Sequence, residues 1–139
     1  MNKDLFRQLD GLSLLQCLVY GEASGEPIEG KIGVAWVVRN RALNPAWWGR
    51  TWKQVMLKRY QFSCFDDRNA ERIIKAFPNW CDSPVFKECR WVASGVMNND
   101  IQDNTFGANH YHAGYVAPSW SRGAEPTVII NNHIFYQLD

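Results

Sequence analysis

The sequence predicts an α+β fold, a mostly helical body that closes on a short C-terminal β-hairpin. Three observations carry this expectation. Up to Asn98, apolar residues recur at helical spacing in several separate stretches. After Asn98 the texture changes to Gly, Asn, His and Tyr, with no 3.6-residue period. At the end, TVII and HIFY are β-rich runs separated by Asn131-Asn132, and Asn tolerates the positive φ that a tight hairpin turn needs.

The elements follow in order. Over residues 12–23, Leu12, Leu15 and Val19 share a helical face that Leu14 and Leu18 widen, and Gly21 weakens the helix end. The segment GEASGEPIEG is turn-like, and Pro27 is placed to open a second helix. That helix, Ile28 to Leu43, carries Ile32, Ala35, Trp36 and Arg39 at helical spacing and stops at Asn44-Pro45. Thr51 with Gln54 forms a capping-box pattern before WKQVMLKRY. QFSCFDD reads as a loop, and residues 69–77 as a helix with Ile73, Ile74 and Phe77 on its apolar side. Ser83-Pro84 is a cap followed by a first-turn proline, and Val85, Cys89, Val92 and Val96 then repeat on one face.

The chain has 139 residues, 46% of them apolar and 21% charged, which fits one folded domain spanning residues 1–139. Fifteen Lys and Arg against fourteen Asp and Glu leave a net charge of +1. That balance offers no basic footprint for nucleic acid and no polybasic membrane anchor. No apolar run approaches the about 20 residues that span a bilayer, so no membrane insertion is expected. The opening MNKDLFRQLDG sets Asp4, Arg7 and Asp10 where a secretory signal would have its apolar region, so a chain without a cleavable signal is expected. Cys17, Cys64, Cys81 and Cys89 form no CxxC pair, and reduced, partly buried thiols are the expectation. A Cys81–Cys89 bridge stays open for a protein that works outside the cytoplasm. Aromatic residues make up 14%, including seven Trp, enough that at least one is expected to face a ligand.

Glu22 follows an apolar helix and precedes a Gly-rich turn. A carboxyl at such a helix end borders the core, where desolvation disfavours its ionised form and keeps the proton that a general acid must donate. A solvated helix-end Glu is the alternative. Glu26 suits either a second carboxylate or a partner for the dipole of the following helix, and Glu29 suits the dipole. His110, His112 and His133 form an HxH pair plus a distant His, which with metal-bound water would describe a zinc amidase or peptidase. Their spacing is loose and no acidic partner adjoins the pair, so hydrogen-bonding roles in a polar cleft are the preferred reading. The stretch NHYHAGYVAPSW, with Tyr111, Tyr115, Pro118 and Trp120, sets aromatic rings beside amides, which suits a carbohydrate, a peptide groove or a core corner.

These residues resemble a known family. YGEASGEPIEGKIGVAWVVRNR is similar to the N-terminal signature of SleB-type cell wall hydrolases, the spore cortex-lytic enzymes. The matching positions are Glu22, Ala23, Gly25, Glu26 and Pro27, then Gly30, Val34, Ala35, Val37, Asn40 and Arg41. QFSC at Gln61 to Cys64 resembles the family's Gln-Phe-Ser loop. Gly107-Ala108 with Tyr111-His112, then Pro118-x-Trp120, and finally Asn132-His133-Ile134-Phe135-Tyr136 match later segments in the family's order. The resemblance implies a lysozyme-like domain that cleaves peptidoglycan glycan strands, with Glu22 as the catalytic acid and no metal or other cofactor.

Two products are compatible with a single acid. A lytic transglycosylase leaves 1,6-anhydro-muramyl ends, whereas a muramidase leaves reducing ends and uses a second carboxylate or an activated water. No second Asp or Glu is convincingly placed, which favours the transglycosylase. Gln61, Ser63, Tyr111, His112, Trp120, His133 and Tyr136 are expected in the cleft beside Glu22, with Glu26 as a further substrate contact. His133 and Tyr136 also suit a role in pinning the hairpin, and Phe135 suits the core. Asn40 and Arg41 are expected to brace the second helix against the loops. Long glycan strands need an open cleft, so a monomer is expected. The family's spore enzymes carry a secretion signal and a wall-binding domain that this sequence does not display. A bacteriophage endolysin, released to the wall through a holin-type membrane lesion, is therefore the expected setting.

Overall fold

The computed structural model describes residues 2–76 and 83–139. Six helices come first: α1 (Asn2–Arg7), α2 (Gly11–Ala23), α3 (Ile28–Leu43), α4 (Trp52–Leu57), α5 (Asp67–Ala76) and α6 (Pro84–Met97). Three strands follow: β1 (His110–Ala113), β2 (Val128–Ile130) and β3 (His133–Tyr136). Single 3-10 turns stand at Ser63–Phe65 and Ser119–Ser121. The expected α+β class, a helical body with a C-terminal hairpin, is what forms. Phe77 and Cys81 lie outside the described residues, while Cys17, Cys64 and Cys89 carry free, buried thiols.

α2 is the central helix. Leu14, Leu15, Gln16, Cys17, Leu18 and Val19 are all buried, so it is enclosed around most of its circumference between α3, α6 and the shorter helices. Its N-terminus is capped by the Asp10 carboxylate, which accepts from the Ser13 amide at 3.1 Å. The one amide buried in it, Gln16, is satisfied on both sides: Nε2 donates to the Phe86 carbonyl and Oε1 accepts from Arg90. The Thr51–Gln54 capping box and the Ser83 cap form as their residue types dictate. α1, which no periodic pattern announces, is held by Phe6, fully buried with its ring 4.8 Å from that of Phe65.

The sheet is antiparallel in the order β1-β3-β2. Asn131 takes φ +51° in the turn between β2 and β3, the conformation its side chain tolerates. β1 adds a third strand from a stretch with no apolar alternation, pairing Tyr111 with Phe135 and Ala113 with His133. Because side chains alternate along a strand, Tyr111, His133 and Phe135 share the face toward the helices, and His110, His112 and Tyr136 share the other. Phe135 seats the sheet on α3. A Cβ at Gly33 would lie 2.7 Å from the Phe135 ring, so only glycine permits this approach.

Candidate active site

Glu22 sits in the last turn of α2, and two local features aim its carboxyl. Gly21 leaves room for the Cys64 side chain, with which a Cβ would collide, so the Ser63–Phe65 turn lies directly on the helix end. The Cys64 amide then donates to Glu22 Oε2 at 3.2 Å. From the sheet, the Tyr111 hydroxyl donates to Glu22 Oε1 at 2.6 Å. Burial raises the Glu22 carboxyl above the ordinary carboxylate range, and the Tyr111 and Cys64 donors offset only part of that rise. Burial and the neighbouring Glu22 carboxyl push the Tyr111 hydroxyl well above its usual value, so it remains a donor.

Two clefts meet at this carboxyl, with Gly21, Glu22 and Ser63 in the wall of both. The first, of about 670 Å³, contains Gln61, Ser63, Tyr111, His112, Trp120 and His133 beside Glu22. Those expected cleft residues are therefore brought together. Gln61 accepts from the Arg41 guanidinium at 3.2 Å. The Ala113 carbonyl can only accept, so His112 donates to it from Nδ1 and its Nε2 accepts the Tyr136 hydroxyl, each at 2.8 Å. Trp120, 38% exposed, packs against His110 and His112 with ring centroids 5.0 and 5.6 Å away. His133 sets its ring edge-on to Tyr111 at 5.1 Å.

Two expected contacts stand elsewhere. Tyr136 is 5% exposed and lies outside the cleft wall, because His112 stacks on its ring and Trp120 packs edge-on against it, each at 5.4 Å. Glu26 latches the hairpin: its carboxylate accepts from Asn131 Nδ2, Asn132 Nδ2 and the Asn132 amide, each at 3.1 Å. Burial works against its ionisation, but the Asn132 donors, His133 and Asn131 outweigh it and hold the carboxyl below its ordinary value. The three histidines do not form a metal centre. Among the described residues no group of three His, Cys, Asp or Glu side chains is placed to hold an ion. His112 has both ring nitrogens engaged, and His110 donates from Nδ1 to Asn109 Oδ1, which also accepts from the Leu138 amide. Burial and nearby Arg41 push His110 down to about 4, so it is neutral at physiological pH.

Sequence reasoning missed part of the cleft. Trp47, Tyr60 and Val116 line it unannounced, whereas Tyr115, 91% exposed at its rim, belongs to the aromatic stretch suited to a carbohydrate. The only available signal was Trp47-Trp48 after a helix stop, one ring exposed and its neighbour buried. Arg41 braces α3 as expected, with Nε donating to the Asn109 carbonyl at 2.7 Å, while Asn40 holds the Ala108 carbonyl and Asp103. Arg41 also lines the cleft. Its guanidinium is ringed by Trp47, Trp48 and Phe62, and burial lowers it to about 10 while leaving it charged at neutral pH.

The fold has counterparts among solved structures. The catalytic domain of the Bacillus cereus SleB protein superposes with a TM-score of 0.73 at 26% identity, over 91% of this chain and 89% of that one. The catalytic domain of the germination-specific lytic transglycosylase SleB from Bacillus anthracis gives the same TM-score at 24% identity, over 91% and 93%. No curated protein matches the chain. The cell wall hydrolase pattern matches residues 25–136, beginning just after Glu22 and running through β3. The chain is thus a member of the cell wall hydrolase family.

Proposed function

We propose that the protein cleaves the glycan strands of peptidoglycan between N-acetylmuramic acid and N-acetylglucosamine, with Glu22 as general acid. The observation that carries this is the Glu22 carboxyl, its proton favoured by burial, standing where two clefts meet. Protonated Glu22 gives its proton to the glycosidic oxygen as the bond from that oxygen to the muramyl C1 breaks. The departing sugar leaves as a neutral alcohol, and C1 is left electron-poor. Ionised Glu22, supported by the Tyr111 and Cys64 donors, then takes the proton of the muramyl 6-hydroxyl. That oxygen closes on C1, the 1,6-anhydro ring forms, and Glu22 has its proton back with no water consumed.

The anhydro branch is favoured over hydrolysis because, among the described residues, Glu22 is the only Asp or Glu in the wall of the first cleft. The other carboxylate in the second cleft, Glu71, faces Lys75 at 3.6 Å. The same branch agrees with the activity named for the Bacillus anthracis domain, whose fold this chain shares. Exposed Trp47, Tyr60, Tyr115 and Trp120 give the first cleft apolar faces for sugar rings.

Mass spectrometry of fragments released from purified peptidoglycan tests the reading. Anhydro-muramyl ends, lighter by one water than reducing ends, are expected. Glu22→Gln should fold and lose about 10²–10⁴-fold in rate, the range for a general acid. Intact strands with cut peptides, or a folded Glu22→Gln enzyme that keeps most of its rate, would overturn it. The setting proposed is that of a bacteriophage endolysin. Expression inside a bacterial host should lyse cells only when a separate lesion-forming protein is co-expressed, and prompt lysis without one would refute that setting.

A further inference from the structure

The second cleft, of about 590 Å³, differs in kind from the first. Among the described residues no aromatic side chain lines it. Beyond Gly21, Glu22, Ser63 and Cys64, its wall is one side of α5: Arg68, Asn69, Glu71, Arg72, Ile73 and Lys75. Among the described residues three cations stand there against the carboxylate of Glu71, immediately beside Glu22.

The cations are held to different degrees. Arg72 is fixed: it donates to Ser24 Oγ, approaches the Gly21 carbonyl at 3.5 Å and lies over the Tyr20 ring at 5.0 Å. Lys75 shares Glu71 in an exposed pair. Arg68 is exposed and has no hydrogen-bond or ion-pair partner among the described residues. An acid that cuts within a strand needs substrate on both sides, so a strand reacting at Glu22 must occupy both clefts. Neutral sugar rings call for apolar faces and hydroxyl partners, which the first cleft supplies. A wall on which cations outnumber carboxylates, with Arg68 unpaired among the described residues, calls for an anion.

On a peptidoglycan strand the anions are carboxylates borne by the muramyl residue, either on its peptide stem or on the lactyl group once the stem is gone. Resting on the glycan-cleaving reading above, we infer that the α5 cleft is a second subsite that recognises these muramyl-borne carboxylates, with Arg68 as its free contact. The enzyme therefore selects strands that carry charged substituents next to the scissile bond.

The test compares kcat/KM on three substrates: native strands with stems, the same strands with carboxyls converted to neutral amides by carbodiimide and ammonia, and strands stripped of stems by an amidase. Wild type should prefer native over amidated strands by about fivefold, the upper end for one exposed ion pair. The preference should shrink as salt is added. In Arg68→Glu, and less so in Arg68→Gln, the native-to-amidated ratio should fall toward one, whereas Lys87→Glu on α6, outside both clefts, should keep it. Stripped strands that behave like native ones identify the lactyl carboxylate as the ligand, and stripped strands that behave like amidated ones identify the stem. A wild-type ratio of one, or a ratio that survives Arg68→Glu, overturns the subsite while leaving glycan cleavage intact. Failure to cut any of the three strands overturns the glycan reading itself.

Discussion

In the proposed reaction Glu22 has to hold a proton at rest and accept one moments later, and its surroundings act in both directions. Burial favours the neutral acid, while the Tyr111 hydroxyl and the Cys64 amide favour the anion. Tyr111→Phe removes one of the two donors and keeps the ring that packs on His133 and Phe135. The Glu22 carboxyl should then rise further, so the alkaline limb of the kcat/KM profile should move to higher pH. At the same time kcat should fall about 10-fold, because a donor to a charged group contributes about 1.5–3 kcal/mol and only part of that is specific to the reacting carboxylate. A pH–rate profile of the variant checks both signs together. A limb that moves to lower pH would mean that Tyr111 acts on the neutral acid instead. The sequence showed Glu22 at a helix end but could not show this donor, because Tyr111 reaches it from a strand 89 residues later.

At the scale of elements, the sheet reaches the Glu22 carboxyl because it is fastened at two points, Phe135 on Gly33 and the hairpin turn on Glu26. Gly33→Ala forces the Phe135 ring away, and an overpacked contact of this kind costs about 1–3 kcal/mol. A lower urea midpoint with a reduced lytic rate is the expected result. Glu26 adds a pH dependence. Its folded carboxyl is depressed, so its contribution is complete above the ordinary carboxylate value and is lost as pH falls through the lower folded value. Glu26→Gln should be less stable near neutrality and flatter in its acid limb, as urea midpoints measured across pH would show. Elements that carry their own signals were legible: α2, α3 and α6 by periodicity, α4 and α6 also by their caps. α1 depends on one buried ring, Phe6, and β1 on pairing with β3, so neither leaves a local pattern. The same holds for the site. Gln61, Ser63, His112, Trp120 and His133 stood out by residue type and motif, but exposed Trp47 and buried Trp48 are indistinguishable until the chain is folded.

Taken as a whole, the helical body supplies Glu22 from α2, the cationic wall from α5 and Trp47 and Tyr60 from its loops, and the sheet with its flanking loop supplies the Tyr111 donor and the rings of Tyr115 and Trp120. The two clefts share Gly21, Glu22 and Ser63, so the Glu22 carboxyl lies between them, with space on either side. A strand that fills one cleft gains contacts but leaves the scissile bond held from one side. Positioning energy is realised in the rate only when both flanks are fixed. Cleavage of defined strands should therefore be slow for a single disaccharide unit and rise steeply once sugars lie on both sides of the bond. Trp47→Ala and Trp120→Ala should each raise KM by about 2–10-fold on long strands, the scale of one lost aromatic contact. They should do so with a smaller effect on kcat, since both rings lie in the first cleft and neither bonds Glu22. Chromatography of the products over time adds an independent check: substrate space on both sides of Glu22 lets strands be cut at internal bonds and releases fragments of many lengths from the start, whereas steady release of one small unit would mean that only strand ends are accepted.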